Sequence, residues 1–350
     1  MGSRYKKVLT TLLVLMTTPG CTAHFHQPSL YWQDVAVTTS ARVRKISVNY
    51  ASGELIELAS YTAALTSAAV HNQDIYLLSS ATDTITRLAI GKEADASFEQ
   101  RQSISLPDNP TQAVITPDGK WLFACTNTAG EIVRFPLSDG LINGAATPLS
   151  TGHVPCWKFA VSPDSRRIAI LDSVPAQLTV YDLDSSSGAL TVYASTTNAA
   201  FMQDIVFDAT GDRIYGAGYN AGVVLTYLIQ EGALTLLNQV SSAAQPNFLA
   251  LSEDGSLLFV SHKSGQTLSV FAVSSSGLAS SPLHTLNLAG SGAALFLSRS
   301  DRYAVIGVGN TLRLARWDRA TGFTFLDPTL ALSAAAINLF GLRRSISIAQ

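Results

Sequence analysis

The sequence has 350 residues, of which 47% are hydrophobic and 14% are charged, and its formal net charge is −2. This hydrophobic content is ample for a continuous core, and an all-β chain of this length often forms one domain. No basic cluster stands out in the sequence. Because binding a phosphate backbone requires clustered Lys and Arg, we do not expect the protein to bind nucleic acid.

The first 20 residues are predicted to be a signal peptide. Arg4, Lys6 and Lys7 give the segment a positively charged start. The apolar stretch that follows, Val8 to Met16, is much shorter than the ~20 residues that a membrane-spanning helix requires. The protein is therefore expected to be exported, with residues 1–20 removed.

The residues at the end of this segment suggest a lipid anchor. Thr18-Pro19-Gly20-Cys21 is similar to the bacterial lipobox, in which the cysteine is acylated after cleavage. The sequence thus predicts a lipoprotein attached through Cys21, in the outer membrane or facing the periplasm. The alternative is cleavage after Ala23, since Cys21-Thr22-Ala23 also fits a small-x-small site. The protein would then be soluble in the periplasm or secreted.

A repeated unit of two apolar runs around a polar turn occupies most of the remaining chain. Its plainest copy, Ala113 to Ala124, predicts a β-hairpin. The turns recur at steps of 44 or 46 residues, at Asn72, Asp118, Asp164, Thr210, Asp254 and Ser300. In five units an aromatic residue then ends a third strand, and these residues are Phe135, Tyr181, Tyr227, Phe271 and Trp317. A glycine turn and a fourth strand follow, which is the pattern of a β-propeller blade.

The two ends of the chain are predicted to form one shared blade. Residues 335–348 resemble the first two strands of a blade, and residues 43–50 and 55–58 resemble the last two. We therefore predict an all-β, seven-bladed β-propeller with four-stranded blades, the last blade closed by two N-terminal and two C-terminal strands. The propeller is expected to span residues 41–350, after a tether over residues 21–40. Closing the ring removes exposed strand edges.

Several segments of the repeat resemble the lactonase-type seven-bladed propellers, the family of bacterial 6-phosphogluconolactonase and its YVTN-repeat relatives. The segments that carry the resemblance are Val161 to Asp164, Val180 to Leu190, Leu258 to Ser261 and Leu268 to Phe271. The resemblance implies this fold over the whole ring. It implies lactone hydrolysis only where the family's functional residues are also present, because the repeat motifs are residues that build blades.

Those functional residues are largely replaced. Enzymatic members carry an Asn-Arg-Gly-His-Asp-Ser run, and the aligned segment here has Gly265 and Gln266 in place of the His and Asp. They also carry Arg or His where each innermost strand leaves the channel mouth. The corresponding residues here are Leu65, Thr111, Trp157, Gln203, Asn247 and Ala293. Lactone hydrolysis needs a base and a cation or hydrogen-bond donors for the oxyanion, and none of these six residues is ionisable.

The sequence therefore favours a non-catalytic ligand- or protein-binding scaffold of the cell envelope. The alternative is a lactonase-like hydrolase of a sugar lactone in the channel mouth. The expected partner is an envelope protein or a small sugar-like ligand, with membrane contact only through the lipid. No cofactor or metal is predicted, because the sequence lacks a phosphate-binding glycine loop and the His-x-x-x-His and Cys-x-x-Cys spacings.

Polar and aromatic residues near the strand ends on the channel side form the predicted ligand site. Their composition suits a sugar or a peptide loop. These residues are His153, Trp157, Asp172, Gln203, Tyr219, Asn220, Asn247, His262 and Lys263. Convergence of the ionisable members on one pocket would favour the enzyme, and their dispersal around the rim would favour the scaffold.

Two cysteines remain besides Cys21. Cys125 lies near the end of a second strand, and Cys156 lies just before the next innermost strand, on the same side of the ring. An exported protein meets an oxidising compartment, so these two residues could form a disulfide between adjoining blades. The alternative is a pair of buried, free thiols.

Overall fold

The computed structural model describes most of the chain after the predicted signal peptide. The described residues are 32–50, 52, 54–72, 74–90, 97–126, 131–150, 156–173, 176–197, 200–298, 302–332 and 338–342. The signal peptide, Cys21 and His153 lie outside these ranges. Within the described residues the regular structure is entirely β, and no helix there could span a membrane.

Seven small antiparallel sheets make up the described structure, and each is one blade. The closing blade contains both ends of the described chain. Its strands are β1 (Trp32–Thr38), β2 (Arg42–Asn49), β3 (Leu55–Thr62) and β30 (Asn338–Leu342).

Six further blades follow one another along the chain, and each begins with its innermost strand. Blade 1 has β4 (Ser67–His71), β5 (Asp74–Ser79), β6 (Thr84–Ile90) and β7 (Phe98–Ser105). Blade 2 has β8 (Pro110–Ile115), β9 (Trp121–Thr126), β10 (Glu131–Ser138), β11 (Leu141–Ile142) and β12 (Thr147–Ser150). Blade 3 has β13 (Cys156–Val161), β14 (Arg167–Ser173), β15 (Ala176–Leu183) and β16 (Leu190–Thr197).

Blade 4 has β17 (Met202–Phe207), β18 (Arg213–Gly218), β19 (Val223–Gln230) and β20 (Ala233–Ser241). Blade 5 has β21 (Pro246–Leu251), β22 (Leu257–His262), β23 (Thr267–Ser274), β24 (Gly277–Leu278) and β25 (His284–Asn287). Blade 6 has β26 (Gly292–Leu297), β27 (Tyr303–Val308), β28 (Thr311–Asp318) and β29 (Gly322–Ala331). The predicted fold class, an all-β seven-bladed propeller, is therefore confirmed.

A Ser/Thr-x-Asp turn explains why three of the units, in blades 2, 3 and 5, fold as hairpins. In blade 2 the Thr116 hydroxyl donates to Asp118 at 2.6 Å and accepts the backbone N–H of Trp121 at 3.1 Å. Gly119 has φ of 70°, a left-handed conformation that glycine adopts without steric cost. The same pair of hydrogen bonds recurs around Ser162 in blade 3 and around Ser252 in blade 5. A short polar motif thus fixes the register between the first two strands of these blades.

The aromatic residues at the end of the third strands pack between blades, as the repeat predicts. Their exposed fractions range from 0 to 6%. Phe271, for example, lies in blade 5 and belongs to one apolar cluster with Tyr215 of blade 4. Each of the apolar clusters among the described residues joins two neighbouring blades in this way.

The closing blade differs from the prediction in how the two chain ends share it. Its strand order is β3-β2-β1-β30, so the N-terminal part supplies three strands and the described C-terminal part supplies one. Strand β1 lies within the predicted tether and pairs with β30, with Val37 opposite Leu339. The reason is local: after β1 the chain turns at Thr39, whose N–H bonds to the Arg42 carbonyl, and β1 returns as β2. Strand β1 therefore occupies the position that was predicted for a second C-terminal strand.

Ring closure through β30 gives the first testable prediction. Removing residues 338–350 deletes the innermost strand of the closing blade and leaves β1 with an exposed edge. We expect loss of cooperative thermal unfolding, with aggregation, in calorimetry or circular dichroism. A shorter truncation of residues 343–350 keeps every described pair of β30 and is the matched control. A 338–350 truncation that melts as sharply as the full chain would contradict this mode of closure.

Candidate functional site

The ring has two faces, and the predicted ligand residues that the structure describes lie on one of them. We call this side the upper face. It carries the loops that join each blade to the next innermost strand, together with the loops between second and third strands. The lower face carries the hairpins between first and second strands, including the Ser/Thr-x-Asp turns. Two open depressions of about 530 and 640 Å³ lie on the lower face, beside Asp164 and Arg316 respectively, and neither contains a predicted ligand residue.

A β-bulge at the start of the innermost strands shapes the upper face. In blades 2 to 6 the pairing with the second strand shifts at the same place in the repeat. The residues skipped there include Thr111, Trp157, Gln203, Asn247 and Ala293. These are channel-mouth positions that the family alignment selects. A bulge turns side chains away from the regular pleat. Thr111, Trp157, Gln203 and Asn247 therefore leave the pleat at the same place on the rim of their blades.

Exposed aromatic side chains lie at two neighbouring blades of this rim. Trp157 on β13 is 51% exposed, and Phe201, directly before β17, is 46% exposed. Gln203 and Asn247 are half-buried, while Asn220 and Lys263 are exposed and Tyr219 is half-buried. The upper face therefore offers apolar surfaces next to amide groups, a combination that suits a sugar.

Among the ionisable residues of the predicted site that the structure describes, Asp172 does not converge with His262 and Lys263. Asp172 is buried on β14 of blade 3, where it lies opposite Cys156 in the sheet. Burial raises the pKa of the Tyr181 hydroxyl, and the charge of Asp172 raises it further. His262 lies at the end of β22, two blades away, and its hydrogen bonds go to Ser242 and Thr267. By the criterion set from the sequence, this dispersal favours a binding scaffold.

An ion pair that the sequence did not predict lies one residue beyond the channel-mouth positions. Lys158 on β13 and Asp204 on β17 form a salt bridge of 3.0 Å between Nζ and Oδ1. The two side chains are 22% and 8% exposed. Nζ of Lys158 also lies 5.9 Å from the ring centre of Phe248 on β21. Opposite charges are thus held close together where three innermost strands meet.

Backbone hydrogen bonds fix the orientation of the Asp204 carboxylate. Oδ2 accepts the N–H of Leu249 at 2.8 Å, and Oδ1 accepts the N–H of Ile205 at 3.1 Å. The bulge makes this orientation accessible, because Gln203 and Asp204 lie between the paired residues of β17. Each carboxylate oxygen has two lone pairs, so Oδ2 retains capacity for a further hydrogen bond.

A weak signal for this pair was present in the repeat. Gln112, Lys158 and Asp204 are 46 residues apart and occupy the same place on three successive innermost strands. The Gln112 amide oxygen accepts the N–H of Phe159 at 2.8 Å, just as Asp204 accepts that of Leu249. Polar side chains at this position therefore connect one blade to the next. Sequence alone could not show that the charges of Lys158 and Asp204 meet.

The two remaining cysteines are bonded to each other. Cys125 on β9 and Cys156 on β13 form a disulfide with Cα atoms 5.9 Å apart, within the range that such bonds require. Both side chains are buried. The bond joins blades 2 and 3 on the upper face, and Cys156 directly precedes Trp157 in the sequence.

The chain is similar to known proteins in sequence over one segment and in fold over most of its length. The family model for lactonase, 7-bladed beta-propeller, matches residues 172–295. Among solved structures, a candidate 6-phosphogluconolactonase from Bacteroides uniformis has a TM-score of 0.76 at 15% identity, covering 89% of this chain and 100% of that chain. The periplasmic gluconolactonase PpgL of Pseudomonas aeruginosa has a TM-score of 0.73 at 16% identity, covering 90% and 100%. A candidate 6-phosphogluconolactonase from Bacteroides fragilis has a TM-score of 0.74 at 15% identity, covering 89% and 98%.

The described structure therefore shares the seven-bladed propeller architecture of these proteins, and residues 172–295 are similar to the lactonase family. Its resemblance to the family of 6-phosphogluconolactonases, predicted from the repeat segments, is confirmed. No curated protein matches the sequence. At 15 to 16% identity, the likeness to the solved structures concerns the fold.

The disulfide gives the second prediction. Replacing Cys125 and Cys156 by Ala removes a cross-link between residues 31 apart in sequence. On the chain-entropy account this lowers the free energy of unfolding by about 3 to 4 kcal/mol, which denaturant titration will measure. Thiol counting under denaturing, non-reducing conditions should find at most one thiol, that of Cys21. Additional free thiols in protein matured in an oxidising compartment would contradict the bond.

Proposed function

We propose that the protein hydrolyses a neutral sugar lactone on the upper face, beside Lys158 and Asp204. The observation that carries this proposal is the partly buried ion pair between these two residues. It supplies the base and the cation that the channel-mouth positions alone lack. The likeness to propellers named as gluconolactonases supports the same reaction class.

Each charge has a role in the hydrolysis of a cyclic ester. The Asp204 carboxylate takes a proton from a water molecule, whose oxygen attacks the lactone carbonyl carbon. The Lys158 ammonium stabilises the oxyanion that develops on the carbonyl oxygen. When the ring C–O bond breaks, the proton passes from Asp204 to the leaving ring oxygen, and the product is the open hydroxy acid. The backbone N–H groups of Ile205 and Leu249 hold the carboxylate in place during these steps.

The charge of the upper face favours a substrate without a phosphate. In the described loops of this face, the charged residues are Asp83, Asp108 and Lys263. The charge of Lys158 is balanced by Asp204. A phosphate group is normally held by several cations or a cradle of N–H groups, so 6-phosphogluconolactone is not the expected substrate. The exposed indole of Trp157 supplies a stacking surface for a sugar ring.

Binding without catalysis is the second candidate function. The exposed Trp157 and Phe201 favour it, because two large apolar side chains on neighbouring blades also suit a partner protein of the envelope. The dispersal of Asp172 and His262 points the same way. Turnover separates the two candidates, since both use the same face.

Lactone hydrolysis is the third prediction. The full chain should accelerate hydrolysis of glucono-1,5-lactone above the spontaneous rate, and do so far more than for the 6-phospho form. In Asp204→Asn the amide oxygen still accepts the Leu249 N–H, while the base is lost. We expect kcat to fall about 100-fold or more. The melting temperature of the variant is measured alongside.

The matched control is Lys120→Met, which removes an exposed lysine that pairs with Asp118 on the lower face. This control should keep the rate of the unchanged chain. A folded Asp204→Asn protein with full activity would contradict the assignment. Absence of turnover in the unchanged chain, combined with binding of a sugar, would favour the non-catalytic function.

We further propose that the protein is exported and held by lipid at Cys21. The basic start, the short apolar stretch and the lipobox-like residues support this location, as does the disulfide, because such bonds persist in oxidising compartments. The name of the Pseudomonas protein, a periplasmic gluconolactonase, is consistent with it.

Lipid attachment is the fourth prediction. Labelled palmitate should be incorporated into the full chain in a bacterial host, and the protein should fractionate with membranes. Cys21→Ser should abolish the label and prevent this membrane fractionation. If the Cys21→Ser protein remains exported and the unchanged chain is also soluble and unlabelled, cleavage after Ala23 is the correct interpretation.

A further inference from the structure

Ser242 and His262 form a hydrogen-bonded pair on the upper face, outside the proposed lactone site. Ser242 lies in the loop between β20 and β21, and His262 is the last residue of β22. The Ser242 Oγ lies 2.5 Å from Nε2 of His262. On the other side of the imidazole, Nδ1 of His262 lies 3.1 Å from both the carbonyl oxygen and the hydroxyl oxygen of Thr267.

We assign the proton of His262 to Nδ1, the tautomer that lets both the carbonyl oxygen and the hydroxyl of Thr267 accept. A carbonyl oxygen can only accept, so the bond to Thr267 requires a proton on Nδ1. Nε2 then has a free lone pair, and the Ser242 hydroxyl donates to it. A serine bonded to an imidazole whose other nitrogen is fixed by an acceptor is the arrangement of an activated serine nucleophile. Here a backbone carbonyl takes the place of the carboxylate.

Burial suits the two residues to different roles. His262 is 0% exposed, whereas Ser242 is partly exposed. Desolvation lowers the pKa of His262, against the opposing effect of the hydrogen bond to Thr267. The imidazole is therefore neutral at pH 7 and able to accept a proton.

Backbone hydrogen bonds hold Ser242 against the histidine. The N–H of Ser242 donates to the Gly222 carbonyl at 2.9 Å. The N–H groups of Lys263 and Gly265 donate to the carbonyls of Gln245 and Ala244 at 2.9 and 3.0 Å. A Cβ added at Gly265 would lie 2.9 Å from the Cβ of Ala243, so the two loops are closely packed. Such pre-organisation is what a reacting pair requires.

We propose that Ser242 is a nucleophile toward carboxylic esters, with His262 as its general base. The Ser242 oxygen bonds to the ester carbonyl carbon while its proton moves to Nε2 of His262. The bond to the leaving alkoxide then breaks, and the alkoxide takes the proton from Nε2. Water hydrolyses the acyl-serine by the same steps, which releases the acid and restores Ser242. The reaction uses neither Lys158 nor Asp204, so it is independent of the proposed lactone hydrolysis.

The test is covalent labelling of the full chain with a fluorophosphonate, which reacts with activated serines. Intact-mass and peptide mass spectrometry should find one adduct per chain, on Ser242, formed only by folded protein. Ser242→Ala should abolish the adduct. Ser241→Ala, which removes the exposed neighbouring hydroxyl, is the matched control and should label at the unchanged rate. His262→Gln should slow labelling about 100-fold or more.

The pH profile distinguishes a base from a structural histidine. Because the pKa of His262 is lowered, the labelling rate should stay constant as the pH falls from 8 toward 6.5, and decline only below that value. If His262→Gln fails to fold, Ser242→Cys provides the second variant. Its alkylation by iodoacetamide should have a midpoint below pH 8.5, since transfer of the thiol proton to Nε2 of His262 leaves a thiolate beside an imidazolium.

Three results would overturn the proposal: no adduct on folded protein, an adduct on another residue, or unchanged labelling of folded His262→Gln. A midpoint at pH 8.5 or above for the cysteine variant would also do so. None of these readouts requires a lactone, so failure here is distinguishable from failure of the proposed lactone hydrolysis.

Discussion

Apolar contact between neighbouring blades is the constraint on which this structure depends. Each blade is a small twisted sheet that buries its faces only against the blades beside it. The apolar clusters show this directly: Tyr76 of blade 1 packs with Phe135 of blade 2, and the pattern continues around the ring. The first and last blades must also cover each other, and β30 closes the ring by pairing with β1 in one sheet. Ile46 and Leu339 then share a cluster with Leu314 of blade 6, which completes the ring.

The innermost strands have a different requirement. Neighbouring innermost strands belong to separate sheets, so polar side chains supply connections between them, as Gln112 and Asp204 do. Placing Lys158 opposite Asp204 at such a connection carries a desolvation cost that a neutral pair would avoid. Breaking a buried pair by removing one partner is also strongly destabilising, because it leaves an uncompensated charge. Asn at position 204 keeps the bond to Leu249 but leaves the charge of Lys158 unpaired, so the melting temperature of this variant is as informative as its activity.

The two faces of the ring divide structural and chemical roles. On the lower face the repeated Asp turns close hairpins, and their carboxylates are occupied by local hydrogen bonds. Ser252 and Ser256, for instance, lower the pKa of Asp254. On the upper face the loops vary between blades, and the bulges release side chains from the pleat. The ion pair, the Ser242–His262 pair and the exposed Trp157 all lie there, which is where both proposed reactions are placed.

The sequence by itself determined the architecture. The 44- or 46-residue period, the polar hairpin turns and the aromatic residues that end third strands are local signals repeated along the chain, so a single weak copy does little harm. Cys125 and Cys156 could also be placed on the same side of the ring from strand direction alone. What the sequence could not determine was the division of the closing blade, because Trp32–Thr38 carries no repeat signal and its place depends on pairing with a strand some 300 residues away. Only the tertiary structure showed that Lys158 meets Asp204 and that Ser242 meets His262. Each contact depends on how two blades are set side by side, which the spacing within one unit does not contain.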